Sequence, residues 1–164
     1  MITGKEDMLQ SLIEVFLMEK GTSEFYSRAA AKAVNPGAKK TFEDISGWEE
    51  RHASFVRYLY QSVMDERDIK GFDDFEKMTD APDTEAGIPL KELEAKSEEY
   101  IFTDDLGALA MAFEIEGRAY ALYRRLSEDA ADSNAKVIFS GMMEQELNHI
   151  AYLEKMRMRL AETS

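Results

Sequence analysis

Glu146-Leu147-Asn148-His149 and Glu49-Glu50-Arg51-His52 are two copies of one pattern, a glutamate followed three positions later by a histidine. On an α-helix, residues three apart lie about 60° apart around the axis and within one turn along it, so carboxylate and imidazole face one point. A single such tetrapeptide is ordinarily a solvated surface pair. Here the surrounding sequence repeats as well. Glu49 to Glu146 spans 97 positions, His52 to His149 spans 97, and Glu19 to Glu116 spans 97 again. The neighbours keep the same offset: Leu9 with Leu106, Leu12 with Leu109, Phe16 with Phe113, Tyr26 with Tyr123, Phe42 with Phe139. Each half of the chain brings one lone glutamate and, 30 residues on, a Glu-x-x-His.

Apolar residues flank these positions at heptad spacing, which places the polar residues in four helical seams. Thr3-Gly4-Lys5-Glu6 reads as a capping box, and the first seam follows as Leu9, Leu12, Phe16, (Glu19), (Ser23), Tyr26, Ala30. Asn35-Pro36-Gly37 ends that helix and starts the next, whose seam is Phe42, Ile45, (Glu49), (His52), Val56, Leu59. The third seam is Leu106, Leu109, Phe113, (Glu116), Tyr120, Tyr123, and the fourth is Phe139, Met142, (Glu146), (His149), Leu153, Met156, Leu160. The helices are expected over about 4–34, 37–68, 104–131 and 133–161. In each hairpin the lone glutamate lies about as far before the turn as the Glu-x-x-His lies after it, so antiparallel folding brings all three side chains to one height. Residues 71–103 are rich in turn signals, with a short helix expected from Leu90 to about Tyr100. A connection of that length reads as a crossover along the bundle. The expected fold is a single all-α domain over 1–164, an antiparallel four-helix bundle with a long crossover between helices 2 and 3.

Composition sets outer bounds. A chain of 164 residues can bury about two-thirds of its unfolded surface around one core. No apolar run approaches the roughly 20 residues of a membrane helix, and no secretory leader is evident, so a soluble cytoplasmic protein is expected. The absence of cysteine excludes disulfides, thiolate metal sites and a cysteine nucleophile. A formal charge of −13 disfavours nucleic acid and anionic membrane as partners. Most of that charge is read as a solvated surface.

Four glutamates and two histidines in the seams are a different matter. A buried, unpaired carboxylate costs several kcal/mol, roughly, even after relaxation, and no lysine or arginine shares that height in the seams. Two divalent cations would balance Glu19, Glu49, Glu116 and Glu146 with His52 and His149 neutral. Carboxylate oxygen with imidazole nitrogen suits iron or manganese and also accepts zinc or cobalt. Tyr26 and Tyr123, each seven residues after a lone glutamate, are core residues whose hydroxyls can reach a carboxylate on a facing helix. Tyr120, opposite Ser23 in the repeat, is a candidate to line the site or a channel. Met111, Met142, Met143 and Met156 are read as gap-filling core, and Trp48 as packing at a subunit or linker contact.

With Met18-Glu19-Lys20, Glu24-Phe25-Tyr26, Trp48 to His52, Ile115-Glu116, Tyr123 and Glu146 to His149, the chain resembles the ferritin-like superfamily, and most of all its rubrerythrin branch. One Glu from each of two helices and Glu-x-x-His from the other two is the layout of di-iron carboxylate bundles. The resemblance implies a non-haem di-iron centre that reacts with hydrogen peroxide or dioxygen, fed by a separate electron-donor protein because no rubredoxin-type cysteines are present. It also implies a homodimer. An extra glutamate of rubrerythrins, three residues after the third-helix ligand, is replaced by Ala119. Haem is not expected, because Glu50 stands where bacterioferritins carry their haem-binding methionine, and a storage cage is not expected without a fifth helix. The readings left open are a di-iron oxidoreductase, an iron or manganese carrier, buffer or sensor, and a bundle whose polar core serves only specificity.

Overall fold

The computed structural model describes residues 4–66 and 102–163. They form four helices, α1 (Lys5–Lys32), α2 (Pro36–Met64), α3 (Asp105–Asp129) and α4 (Ser133–Thr163). The expected linker helix from Leu90 to Tyr100 lies outside the described residues, as does Thr3. Among the described residues no helix is long and apolar enough to cross a membrane.

Local chemistry sets most helix ends. The N-cap of α1 is Gly4, and its side-chain-free position leaves Glu6 and Asp7 in the first turn to face the positive helix end. At the first hairpin turn the Asn35 side chain accepts from the Gly37 and Ala38 amides at 2.8 and 3.1 Å, with Pro36 at the first helical position. Asp104 does the same for α3, accepting from the Gly107 amide at 2.7 Å. At the second turn Asp132 accepts from the Asn134 amide at 3.0 Å. Helix α2 stops at Met64, short of the expected 68, where Glu66 takes a left-handed φ of 55°.

α1 packs on α2 and α3 on α4, and between the hairpins α1 meets α3 and α2 meets α4. The helical residues bury two apolar clusters, one at each end of the bundle. One holds Leu12 and Phe16 of α1, Val56 and Leu59 of α2, Leu126 of α3 and Phe139 of α4. The other holds Ala30, Phe42, Leu109 and Met156. The end of α2 thus lies with the start of α1, and the start of α3 with the end of α1. The chain leaves α2 at one end of the bundle and enters α3 at the other, so α2 and α3 run in the same direction, as the crossover reading expects. Asp105 fastens this arrangement: its carboxylate accepts from the Val34 and Asn35 amides at 3.2 and 2.9 Å, pinning the first hairpin turn to the start of α3.

The third seam differs from its sequence reading. Leu106 is 61 % exposed and Phe113 only half-buried, while Ala108, Ala112, Ile115 and Ala119 are buried beside Leu109, Glu116 and Tyr123. Positions 109, 116 and 123, seven apart, all stay buried; their companion stripe lies three residues after each, at Ala112, Ala119 and Leu126, and not three before, at Leu106, Phe113 and Tyr120. Small alanines carry the true contact face.

Replacing Asn35 by alanine leaves the Gly37 and Ala38 amides without their cap. A loss of about 1 kcal/mol is expected, read as a lower urea midpoint at unchanged m-value.

Candidate metal centre

Between the two apolar clusters lies one polar layer. Glu19 of α1, Glu49 and His52 of α2, Glu116 of α3, and Glu146 and His149 of α4 are each at most 3 % exposed. All six sequence candidates are therefore brought to the bundle interior. Glu49, His52, Glu146 and His149 have donor atoms within 4.8 Å of one another, a grouping that can hold a metal ion.

The repeat gives the layer two-fold symmetry. His52 Nδ1 lies 3.4 Å from Glu49 Oε2, 3.2 Å from Glu146 Oε1 and 3.7 Å from Glu19 Oε2. His149 Nδ1 lies 3.4 Å from Glu146 Oε2, 2.8 Å from Glu49 Oε1 and 3.6 Å from Glu116 Oε2. Glu49 and Glu146 therefore each send one oxygen toward each histidine, while Glu19 and Glu116 serve one histidine apiece. The imidazole rings are parallel, 5.0 Å apart at 14°.

The two tyrosines cross the hairpin boundary. Tyr26 donates its hydroxyl proton to Glu116 Oε1 at 2.8 Å, and Tyr123 donates to Glu19 Oε1. Each ring belongs to one apolar cluster and its hydroxyl to the polar layer. The donors hold the outer glutamates by one oxygen and leave the other facing the histidine. Tyr120, opposite Ser23, is half-buried, and Ser23 instead joins α1 to α2 through the Ser46 carbonyl and Glu50.

Several acceptors in this layer have nothing to accept from. Glu19 Oε2, Glu49 Oε2, Glu116 Oε2 and both oxygens of Glu146 are buried with no hydrogen-bond partner among the described residues. Leaving a buried polar atom unsatisfied costs about 1–3 kcal/mol, more when it is charged. The ion pairs at these four carboxylates, among the described residues, are all with the two histidines. Oxygen and nitrogen donors bound to one divalent ion at about 2.0–2.2 Å sit about 3 Å from each other when adjacent. The spacing of donors around each histidine matches that geometry, and the orphaned oxygens face it. The residues fit a bound metal ion.

Without cations, protons must balance the layer. Burial raises Glu49 well above the usual carboxylate range, with the charges of Glu146, Glu19 and Glu116 adding to it, and burial with Glu146 beside it pushes Glu116 up to about 8. Burial pushes Glu19 and Glu146 up too. At Glu19, contacts with Glu49, His52 and Tyr123 outweigh it, and at Glu146 those with Glu116, His149 and His52 do, so both end below 4.5. For the histidines burial works downward, yet the surrounding carboxylates win, raising His52 well above 6.5 and His149 to about 12. Burial and the facing carboxylates keep both tyrosines neutral, so they act as donors.

The linker contact expected of Trp48 lies outside the described residues, but its partners within them are clear. Trp48 sits in the groove between α2 and α4, stacked on His149 (5.4 Å, 21°) and edge-on to Tyr152 (4.9 Å, 67°). Its neighbour along the chain, Glu49, points into the layer; one residue earlier on a helix is 100° around, which turns Trp48 toward α4. Sequence reasoning passed over Tyr152. The available signal was its position three residues after His149, one turn along the same face.

Comparison with known protein families, with curated proteins and with solved structures finds no match for this chain. The site stands on its own geometry.

The proton balance has a measurable consequence. Glu116, about 8 when folded against 4.5 ordinarily, keeps a proton in the folded protein that the unfolded chain gives up above pH 4.5. His149, about 12 against 6.5, contributes stability that is complete below pH 6.5 and is lost as pH rises toward 12. Glu19 and Glu146, depressed below 4.5, act in the opposite sense only at acid pH. Between pH 6.5 and 8 the first two act together, because the folded state binds more protons than the unfolded. The melting temperature of chelator-treated protein is expected to fall across that interval; a rise would mean the layer does not hold those protons.

Proposed function

We propose that this chain is a non-haem di-iron oxidoreductase of the rubrerythrin type within the ferritin-like superfamily, reducing hydrogen peroxide or dioxygen with electrons from a separate donor protein. One observation carries the reading: Glu49 and Glu146 each divide their two oxygens between His52 and His149. A carboxylate facing two ways suits a bridge between two centres, and the unpartnered oxygens Glu49 Oε2 and both of Glu146 are the ones so placed. Glu19 and His52 complete one half of the site and Glu116 and His149 the other, with iron the metal proposed and manganese or zinc alternatives under the same donor set.

Two ferrous ions, when bound, supply the two electrons that cleave an O–O bond without releasing a radical. The chain's own residues do the rest. Glu49 and Glu146 hold the two halves at a fixed separation, and Tyr26 and Tyr123 keep one oxygen of each outer glutamate occupied so the other stays aimed inward. The two apolar clusters exclude water above and below. The protein is proposed to act in the cytoplasm as a homodimer.

A second reading has one observation in its favour. All six donors are essentially closed off from solvent, which suits retention of a metal as well as turnover. A carrier or buffer of iron or manganese would show one oxidation event and no more.

Protein purified without oxygen is expected to bind two ferrous ions per chain by elemental analysis. Adding peroxide should oxidise them rapidly and stoichiometrically, with repeated turnover once a reductant is present. Glu146→Ala, removing a ligand of both halves, should abolish the reaction while circular dichroism stays helical; unchanged kinetics would defeat the assignment. A single oxidation with no turnover would favour the carrier. Tyr26→Phe or Tyr123→Phe should weaken metal affinity by about 10–100-fold, the usual effect of losing an outer partner, measured by competition with a chelator.

A further inference from the structure

The duplication that built the metal layer did not copy everything. Trp48 corresponds to Gln145 at the 97-residue offset, Tyr152 to Phe55, and Asp44 to Gly141. On one side of the bundle, then, an oxidisable indole, an oxidisable phenol and a carboxylate meet, and on the other side none of the three is present. Packing does not require the difference, since Phe55 fills its place in the core without a hydroxyl.

The three side chains on the populated side form a continuous path. The His52 and His149 rings are stacked, Trp48 stacks on the outer face of His149, and Tyr152 meets the Trp48 ring edge-on. Every ring-to-ring step falls within the separation of ordinary aromatic contact, about 4.5–7 Å. Trp48 and Tyr152 are half-buried, so the path begins in the closed layer and ends at the surface. At its outer end the Tyr152 hydroxyl donates to Asp44 Oδ2 at 2.6 Å, and Lys40 donates to the same oxygen at 3.0 Å, which keeps that carboxylate ionised.

We propose that Trp48 and Tyr152 form a one-electron relay between the protein surface and the buried Glu/His layer, with Asp44 as the acceptor of the phenol proton. The proposal rests on the reading of that layer as a redox metal site. Reduction of dioxygen to water takes four electrons, of which two ferrous ions would supply two; for each of the others an electron leaves the Trp48 indole inward, giving the indole radical cation. Tyr152 returns an electron to Trp48 and passes its hydroxyl proton to Asp44, leaving a neutral phenoxyl radical beside a protonated carboxylic acid. A thiolate-class reductant at the surface then gives the phenoxyl an electron while the proton returns from Asp44, regenerating phenol and carboxylate and leaving a thiyl radical. Charge and protons balance at each step, and the proton never has to cross the apolar core. Two such passages deliver the remaining two electrons.

The chain contains one tryptophan, so the relay can be tested without metal. Azide radicals generated by pulse radiolysis oxidise tryptophan preferentially, and in the metal-free full chain the first indole radical can only be Trp48. Its absorbance is expected to decay in a first-order, concentration-independent process as a tyrosyl absorbance rises. Tyr152→Phe should slow that transfer at least tenfold and Asp44→Asn should slow it too, whereas Tyr58→Phe should leave it unchanged. Equal rates in wild type and Tyr152→Phe would overturn the relay. In the second arm, protein loaded with ferrous iron receives dioxygen without reductant and is freeze-quenched for electron paramagnetic resonance. A tyrosyl signal lost in both Tyr152→Phe and Trp48→Phe supports the link to the layer; a signal that survives Trp48→Phe overturns it. Failure to bind iron would be seen in the loading step, and would defeat the reading of the site independently of the radiolysis result.

Discussion

Four carboxylates and two imidazoles share a closed layer in the middle of an oily bundle, and their mutual electrostatics governs everything around them. In that setting each negative charge raises its neighbours' appetite for protons or cations. The contrast between Glu49 and Glu116, driven up, and Glu19 and Glu146, held down, shows protons being divided among groups that cannot all ionise together. Such a layer is a poor way to stabilise a bundle, because apolar side chains of similar size generally do as well or better. Its presence makes sense when something else supplies the missing positive charge.

The remaining architecture serves that layer. Two apolar clusters bracket it, each closed by a tyrosine ring whose hydroxyl reaches the carboxylate of the opposite hairpin. Caps at Asn35 and Asp104 fix where α2 and α3 begin, and Asp105 ties the first turn to α3, so the heights of the ligands are set by the helix ends and not by the ligands alone.

Much of this was legible in the chain because the repeat offset is constant. Glu19, Glu49, His52, Glu116, Glu146 and His149 could be aligned by subtraction, and a helix converts fixed offsets into a fixed geometry. The hairpin turns were legible for the same kind of reason: Asn-Pro-Gly has few ways to fold. The third seam was less so, because alanine at 108, 112 and 119 carries little hydrophobic signal while Leu106 and Phe113, on the other flank of the Leu109–Glu116–Tyr123 stripe, carry much. The stacking of Trp48 on His149 was not legible because the two are 101 residues apart, and no periodicity within α2 names a partner across a groove. Which oxygen of Glu49 faces which histidine was equally out of reach, being a torsion angle and not a spacing.

The crossing of the tyrosine bonds has a mechanical implication. Neither hairpin holds its own outer glutamate in place: Glu19 of α1 takes its phenol donor from α3, and Glu116 of α3 takes its phenol donor from α1. Prising the halves apart would break both phenol contacts and the Glu49–His149 and Glu146–His52 contacts in the same motion. A cation pair lodged there would act as a rivet through two plates, making separation of the hairpins and release of the ions a single event.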